Sequence, residues 1–303
     1  MTGAAHRLVV SGRRLDADDR FFRRFRRVGL RGVLTDLNRV GRHVEVPGDA
    51  PTAGMAWQRV DQLTERWYPQ GITTSADAYG ADATGGRYEG HDVVVTSWYG
   101  RGPIGRMLGS RLSVIDWTDD RPPRYRHVLL VEPRRWLGLL HRLRPVRVHA
   151  GGIVWFGGHL YVAGSSAGVR LFRLDDVVRV RTRWRTGGHR YVLPQAAFLA
   201  AEGDDDQRPL TYSFMSLERG TDGVHLVAGE YGRKGGRHRL VRYAIDPDTE
   251  LLRTDERGHA VAADLHDRQI ARMQGAVVVG GTWVVTSSNG RGNAGASGVG
   301  DSG

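Results

Sequence analysis

Pro69-Gln70-Gly71-Ile72, Ala150-Gly151-Gly152-Ile153, Pro194-Gln195-Ala196-Ala197 and Met273-Gln274-Gly275-Ala276 are four versions of one short pattern, and each opens a strand-like run. Recurrence of this kind marks a repeat architecture. From Gln70 to Gly151, Gln195 and Gln274 the intervals are 81, 44 and 79 residues. The long intervals hold either two repeat units each or one unit with long loops.

Outward from these copies the sequence alternates with period two. The first leads into runs at 72–76, 92–99, 111–116 and 125–131, rich in Val, Thr, Ile and aromatic residues and separated by Gly, Pro and Asp clusters. The second opens 153–156, the Gly157-Gly158 turn and 159–163, then 169–174 and 177–180. Four strands in so short a span are the size of one propeller blade. A third unit reads 196–199, 210–215, 224–228 and 240–245, with a further run at 250–252. A fourth opens on the hairpin 276–279, Gly280-Gly281, 283–286. The expectation is an all-β protein, a β-propeller of about five or six blades when complete, cut short at the C-terminus.

Residues 1–50 read as an N-terminal extension, 51–290 as the propeller and 291–303 as a disordered Gly/Ser-rich tail with too little apolar surface to pack. In the extension, 15–28 reads as a short basic amphipathic helix. Asp16, Asp18 and Asp19 stand first, Arg23, Arg24, Arg26 and Arg27 last, and Leu15, Phe22, Phe25 and Val28 share a face.

The chain has 303 residues, 42 Gly, 8 Trp and a net charge of +11. The charge is a poor argument for nucleic acid, because Lys234 is the sole lysine among 44 basic residues, and the arginines are dispersed as in a high-GC coding sequence. Without cysteine, thiol catalysis, disulfides and Cys-ligated zinc are excluded. No run is apolar enough to span a membrane. Leu8-Val9-Val10 is too short for a signal-peptide core and is closely followed by Arg13, Arg14 and Asp16.

The runs Trp67-Tyr68-Pro69-Gln70-Gly71-Ile72-Thr73, 125–133, Val148-His149-Ala150-Gly151-Gly152, Tyr191-Val192-Leu193-Pro194-Gln195 and Met273-Gln274-Gly275-Ala276 resemble a family of uncharacterised actinobacterial proteins, often labelled secreted. The resemblance covers roughly residues 57–293 and implies a propeller and an extracellular location. It brings no established activity. Its members carry an export signal and continue with further strands, and this chain departs from them at both ends. More distantly the chain is similar to six-bladed propellers of the gluconolactonase, strictosidine-synthase-like and low-density-receptor types. In the lactonases a Glu near the innermost strand helps hold a divalent cation. Gln70, Gly151, Gln195 and Gln274 stand at the comparable positions here. Amides and glycine suit a hard cation poorly, so the lactonase chemistry does not carry over.

Candidate ligand-binding residues at the rim of a central channel are Gln70, His149, Gln195 and Gln274, able to hydrogen-bond a polar ligand or simply neighbouring strands and water. Asp77, Glu230 and Asn289 stand at strand ends; the two carboxylates are acid–base candidates, and any of the three could ligate a cation such as Ca2+, although no cofactor is expected. No GxSxG, HExxH or phosphate-loop pattern occurs. The expected function is a non-catalytic binding or interaction scaffold for a polar ligand, polymer or protein. The alternative is a metal-assisted hydrolase or lyase at the channel mouth.

Overall fold

The computed structural model describes residues 6–12, 15–16, 20–47, 53–80, 84–136, 140–165, 167–181, 186–203, 208–232, 238–267, 270–288 and 297–301. The protein is mostly β, 53% strand and 11% helical. Among the described residues no helix is long and apolar enough to cross a membrane. The chain divides into two compact units interleaved in sequence, one from Asp16–Val148 and Arg173–Gln195, the other from Met1–Leu15, His149–Phe172 and Ala196–Gly303.

The first unit is built on an antiparallel meander of Trp67–Thr74, Val93–Arg101, Met107–Asp116 and Arg124–Trp136. Met107–Asp116 is buried along nearly its whole length. Its buried polar residues Ser110, Arg111 and Ser113 are therefore each hydrogen-bonded inside the unit. On the far side of Arg124–Trp136 the start of Tyr191–Glu202 pairs in parallel, Tyr191 with Val128 through Pro194 with Val131. Val178–Arg179 then pairs with Tyr191 and Val192, and Arg26–Arg27 with Val178–Arg179.

The other unit holds the hairpin Ile153–Phe156 and His159–Ala163, bounded as the sequence predicts. Residues 198–202 pair with Arg7–Ser11. A four-stranded sheet runs Phe214–Gly220, Gly223–Gly229, Leu240–Ile245, Asp264–His266. A three-stranded sheet runs Met273–Val279, Thr282–Ser287, Ser297–Asp301. Its last strand falls in the segment read as a Gly/Ser tail. Tyr161, Leu171, Leu226, Val241 and Tyr243 anchor the larger core, and Phe214, Val227, Trp283 and Val285 a smaller one.

The repeated pattern has a structural meaning. Its first and fourth copies are breaks in a ladder: the register shifts between Pro69 and Ile72 and between Met273 and Gly275. Each break leaves backbone groups that must find other partners. At the first, Gly71 N–H donates to the hydroxyl of buried Ser97 at 2.9 Å. In the second copy the glycines answer to crowding. A Cβ on Gly151 would stand 2.1 Å from the Ser213 carbonyl oxygen, and one on Gly152 2.1 Å from Met215 N. The third copy sits inside a strand, where the pairing of Tyr191–Pro194 with Val128–Val131 ends. It therefore does not open a new sheet; the next begins at Phe214.

Candidate functional site

The segment 20–34 contains six arginines. The amphipathic pattern predicts one helix over 15–28, but among the described residues there only Arg20–Arg24 is helical. Arg26–Arg27 is a short strand, Gly29 takes a left-handed conformation at φ 64°, and Gly29–Leu34 is a second helix. Strand pairing overrides helix propensity: Val28 and Gly29 N–H donate to the Val177 carbonyl at 2.8 and 3.2 Å.

The consequence is a row of side chains at one level across three strands. Arg26 is the direct partner of Arg179, and Arg179 of Tyr191. With Arg27, Arg31 and Arg190 they line a cavity of about 540 Å³ whose one carboxylate among the described residues is Asp36. Asp36 is already engaged. Tyr191 Oη donates to Oδ2 at 2.6 Å, Arg126 Nη2 to Oδ1 at 3.1 Å, and Arg190 Nε lies 3.5 Å from Oδ2. Burial, with the bond to Asp36 second, pushes the Tyr191 phenol up to about 12 and keeps it a donor. Arg27 pairs with buried Asp176 at 3.2 Å, and Arg31 with exposed Glu89 at 3.5 Å. Among the described residues no acidic side chain faces Arg26 or Arg179. Like charges directly opposite on neighbouring strands are destabilising. The pocket thus concentrates guanidinium forks, the group best matched to phosphate, sulfate or carboxylate oxygens.

On the opposite side of the Arg124–Trp136 strand, Tyr125 and His127 alternate with Arg126 and belong to a sealed polar network. Asp61, on the helix Arg59–Gln62, receives Tyr125 Oη at 2.8 Å, His127 Nε2 at 2.9 Å and Arg111 Nη2 at 3.3 Å, with Arg39 Nε at 2.7 Å. Ser113 Oγ lies 2.9 Å from His127 Nδ1 and accepts from Trp98 Nε1 at 2.7 Å. The Ser113–His127–Asp61 order is that of a nucleophilic triad. Ser113 is 0% exposed, however, and its oxygen is already bonded to an indole, so no substrate reaches it. The network is structural. Trp57 packs on Trp98 and Tyr125, while Arg111 lies between the rings of Trp67 and Trp98 at 4.3 and 5.0 Å.

The residues singled out from sequence divide between the units. Gln70 is exposed, its amide donating to its neighbour's carbonyl, Pro69 O, at 2.6 Å. Asp77 closes a capping box: Oδ2 accepts from Thr74 N at 2.7 Å while Asp77 N donates to Thr74 Oγ1 at 3.1 Å, starting the helix Ser75–Tyr79. Gln195 is half-buried, in the same unit as these two. In the other unit His149 and Gln274 are exposed. Glu230 is buried and bidentate to Arg239, at 2.7 and 2.8 Å, and also accepts from Thr211 N. Burial pushes the Glu230 carboxyl up, and these donors more than reverse it. Asn289 lies outside the described residues. Arg26 and Arg27 were hidden because the pattern places them in a helix over 15–28, and Arg179 because it falls in the strand-like run 177–180. The signal present was the doublet Arg26-Arg27 immediately before Val28-Gly29, a strand-like step followed by a break.

No protein-family model matches the chain, and no curated protein is significantly similar to it in sequence.

Proposed function

We propose that the chain is a non-catalytic binding scaffold of the propeller type, akin to the actinobacterial family its motifs resemble, and that its ligand presents a multiply charged anionic group to the arginine pocket. The separate four-stranded antiparallel sheet over 214–266 supports the propeller reading by having the strand order of a blade; the meander 67–136 shares that order but continues into further strands beyond Arg124–Trp136. The observation that carries the ligand assignment is Arg26 directly opposite Arg179, with no carboxylate between them among the described residues, at the wall of a 540 Å³ cavity. A cavity of that size accepts a small molecule or the charged end of a larger one. The state of the two candidate carboxylates favours binding over hydrolysis, since Asp77 is spent on a helix cap and Glu230 on Arg239.

The experiment removes the charge pair and reads two quantities. Arg26→Ala with Arg179→Ala relieves cross-strand repulsion, so the free chain melts at the same or a higher temperature. The same variant loses the rise in melting temperature that inorganic pyrophosphate gives the wild type. A double variant that melts lower, and is still stabilised by pyrophosphate as the wild type is, would sink the proposal.

A further inference from the structure

Away from the arginine pocket, in the other unit, the hairpin joining Phe214–Gly220 to Gly223–Gly229 carries a second constellation. Glu218 and His225 are direct cross-strand partners, and Asp222 lies in the turn between Gly220 and Gly223. One ligand atom from each of the three lies within 4.8 Å of those of the other two. His225 Nδ1 is 3.9 Å from Glu218 Oε2, and His225 Nε2 is 3.9 Å from Asp222 Oδ2. Both distances are too long for hydrogen bonds. One ion can take only one imidazole nitrogen; the Nδ1–Glu218 distance is near the spacing of two atoms that share a metal, about 3.4 Å for tetrahedral ligands each about 2.1 Å from zinc, and an Asp222 oxygen lies inside the same 4.8 Å cluster. The His225 side chain is 7% exposed, and its buried Nδ1 has no hydrogen-bond partner. A buried imidazole nitrogen without a partner is costly unless something else fills its lone pair or takes its proton.

The surrounding charge points the same way. Arg242 bonds Glu218 through Nη1, at 3.0 and 3.1 Å, and Asp264 through Nε at 2.6 Å, with Asp222 a further 3.7 Å contact. Three carboxylates face one guanidinium, an excess equal to the charge of one divalent cation. Glu218 can keep Oε1 on Arg242 while Oε2 turns to a metal. Glu218 is 4% exposed and Asp222 58%, so the set is buried on one side and open to entry on the other.

We propose that Glu218, Asp222 and His225 form a binding site for a divalent transition cation of the zinc type. One imidazole with two carboxylates suits Zn2+ better than Ca2+, which takes oxygen ligands alone. The site stands independently of the anion pocket, and failure of either leaves the other untouched.

The test is isothermal titration of the full chain with Zn2+ alone, with Co2+ absorption as a second readout. The wild type binds one saturating equivalent, and bound Co2+ gives the visible bands of a low-coordinate nitrogen–oxygen site. Asp222→Asn, at an exposed turn position, keeps the melting temperature of the free chain and weakens binding at least about tenfold. His225→Ala removes both the equivalent and the Co2+ bands. Two results overturn the proposal: no saturable binding to the wild type up to ~100 µM Zn2+, or one equivalent retained with unchanged affinity in both Asp222→Asn and His225→Ala.

Discussion

Glu230 shows how a residue that looks available in sequence is committed in the fold. Its carboxylate neutralises Arg239, which is 2% exposed and also donates to His6 Nε2 and to the carbonyls of Arg208 and Pro209. Removing one partner of a buried pair leaves the other charged and unsatisfied. Glu230→Ala is therefore expected to cost about 3–5 kcal/mol in urea unfolding, whereas Gln70→Ala, at an exposed position, stays within about 0.5 kcal/mol. His127 sets a pH dependence. Burial, only partly offset by the bond to Asp61, holds its imidazole down to about 3. The unfolded chain takes up a proton as pH falls through about 6.5, and the folded chain does so only near the lower value. The unfolded state thus binds more protons across that window, and stability falls as pH falls, by up to about 1.4 kcal/mol per pH unit for this group. His189, pushed down to about 4 mainly by burial, adds to the same slope. Urea midpoints measured between pH 7 and pH 5 should drop in the wild type and flatten in His127→Asn.

At the scale of elements, period-two runs were a sound guide where strands pair with neighbours close in sequence. Ile153–Phe156, His159–Ala163 and Leu240–Ile245 occupy the residues that the pattern marks. Elements defined by distant partners were not legible. The helix expected over 15–28 is interrupted because Arg26–Arg27 pairs with residues some 150 positions away. Ser75 and Ala76 leave the strand for a helix because Thr74 and Asp77 cap it; that capping box was readable, and the adjoining β-rich run concealed it. The third copy of the repeat lies within a strand because parallel pairing with Val128–Val131, invisible to a local pattern, extends the strand upstream of it. The site was hidden for the same reason, since cross-strand register and not sequence proximity puts Arg26 beside Arg179. The glycines of the repeat offer a contrast to measure. A Cβ on Gly152 would meet backbone at 2.1 Å, and one on Gly275 would have only the Thr286 hydroxyl at 3.3 Å. Gly152→Ala is expected to destabilise by about 2–3 kcal/mol and Gly275→Ala by under about 1 kcal/mol. Equal melting temperatures for the two would contradict the reading of the second copy as a close-approach site.

At the scale of the molecule, a net charge of +11 carried almost entirely by arginine has a local expression in the first unit. Many guanidiniums described there are paired or stacked, as with Arg111 on Asp61 and the tryptophans or Arg173 on Asp176. At the pocket five guanidiniums line one cavity with Asp36 the carboxylate among its described lining residues, and Arg26 and Arg179 form no ion pair among the described residues. A site of this kind binds by charge and geometry together, so its affinity must respond to salt as well as to substitution. The Debye length shrinks from about 30 Å at 0.01 M to about 8 Å at 0.15 M ionic strength. The most direct measurement is calorimetric titration of inorganic pyrophosphate into the wild type and into Arg26→Ala/Arg179→Ala at those two ionic strengths. The account predicts saturable binding to the wild type that weakens with salt, and a loss of at least about tenfold in the double variant, the equivalent of one charge-assisted hydrogen bond. Equal affinities in the two proteins, or no binding to the wild type at the lower ionic strength, would contradict it.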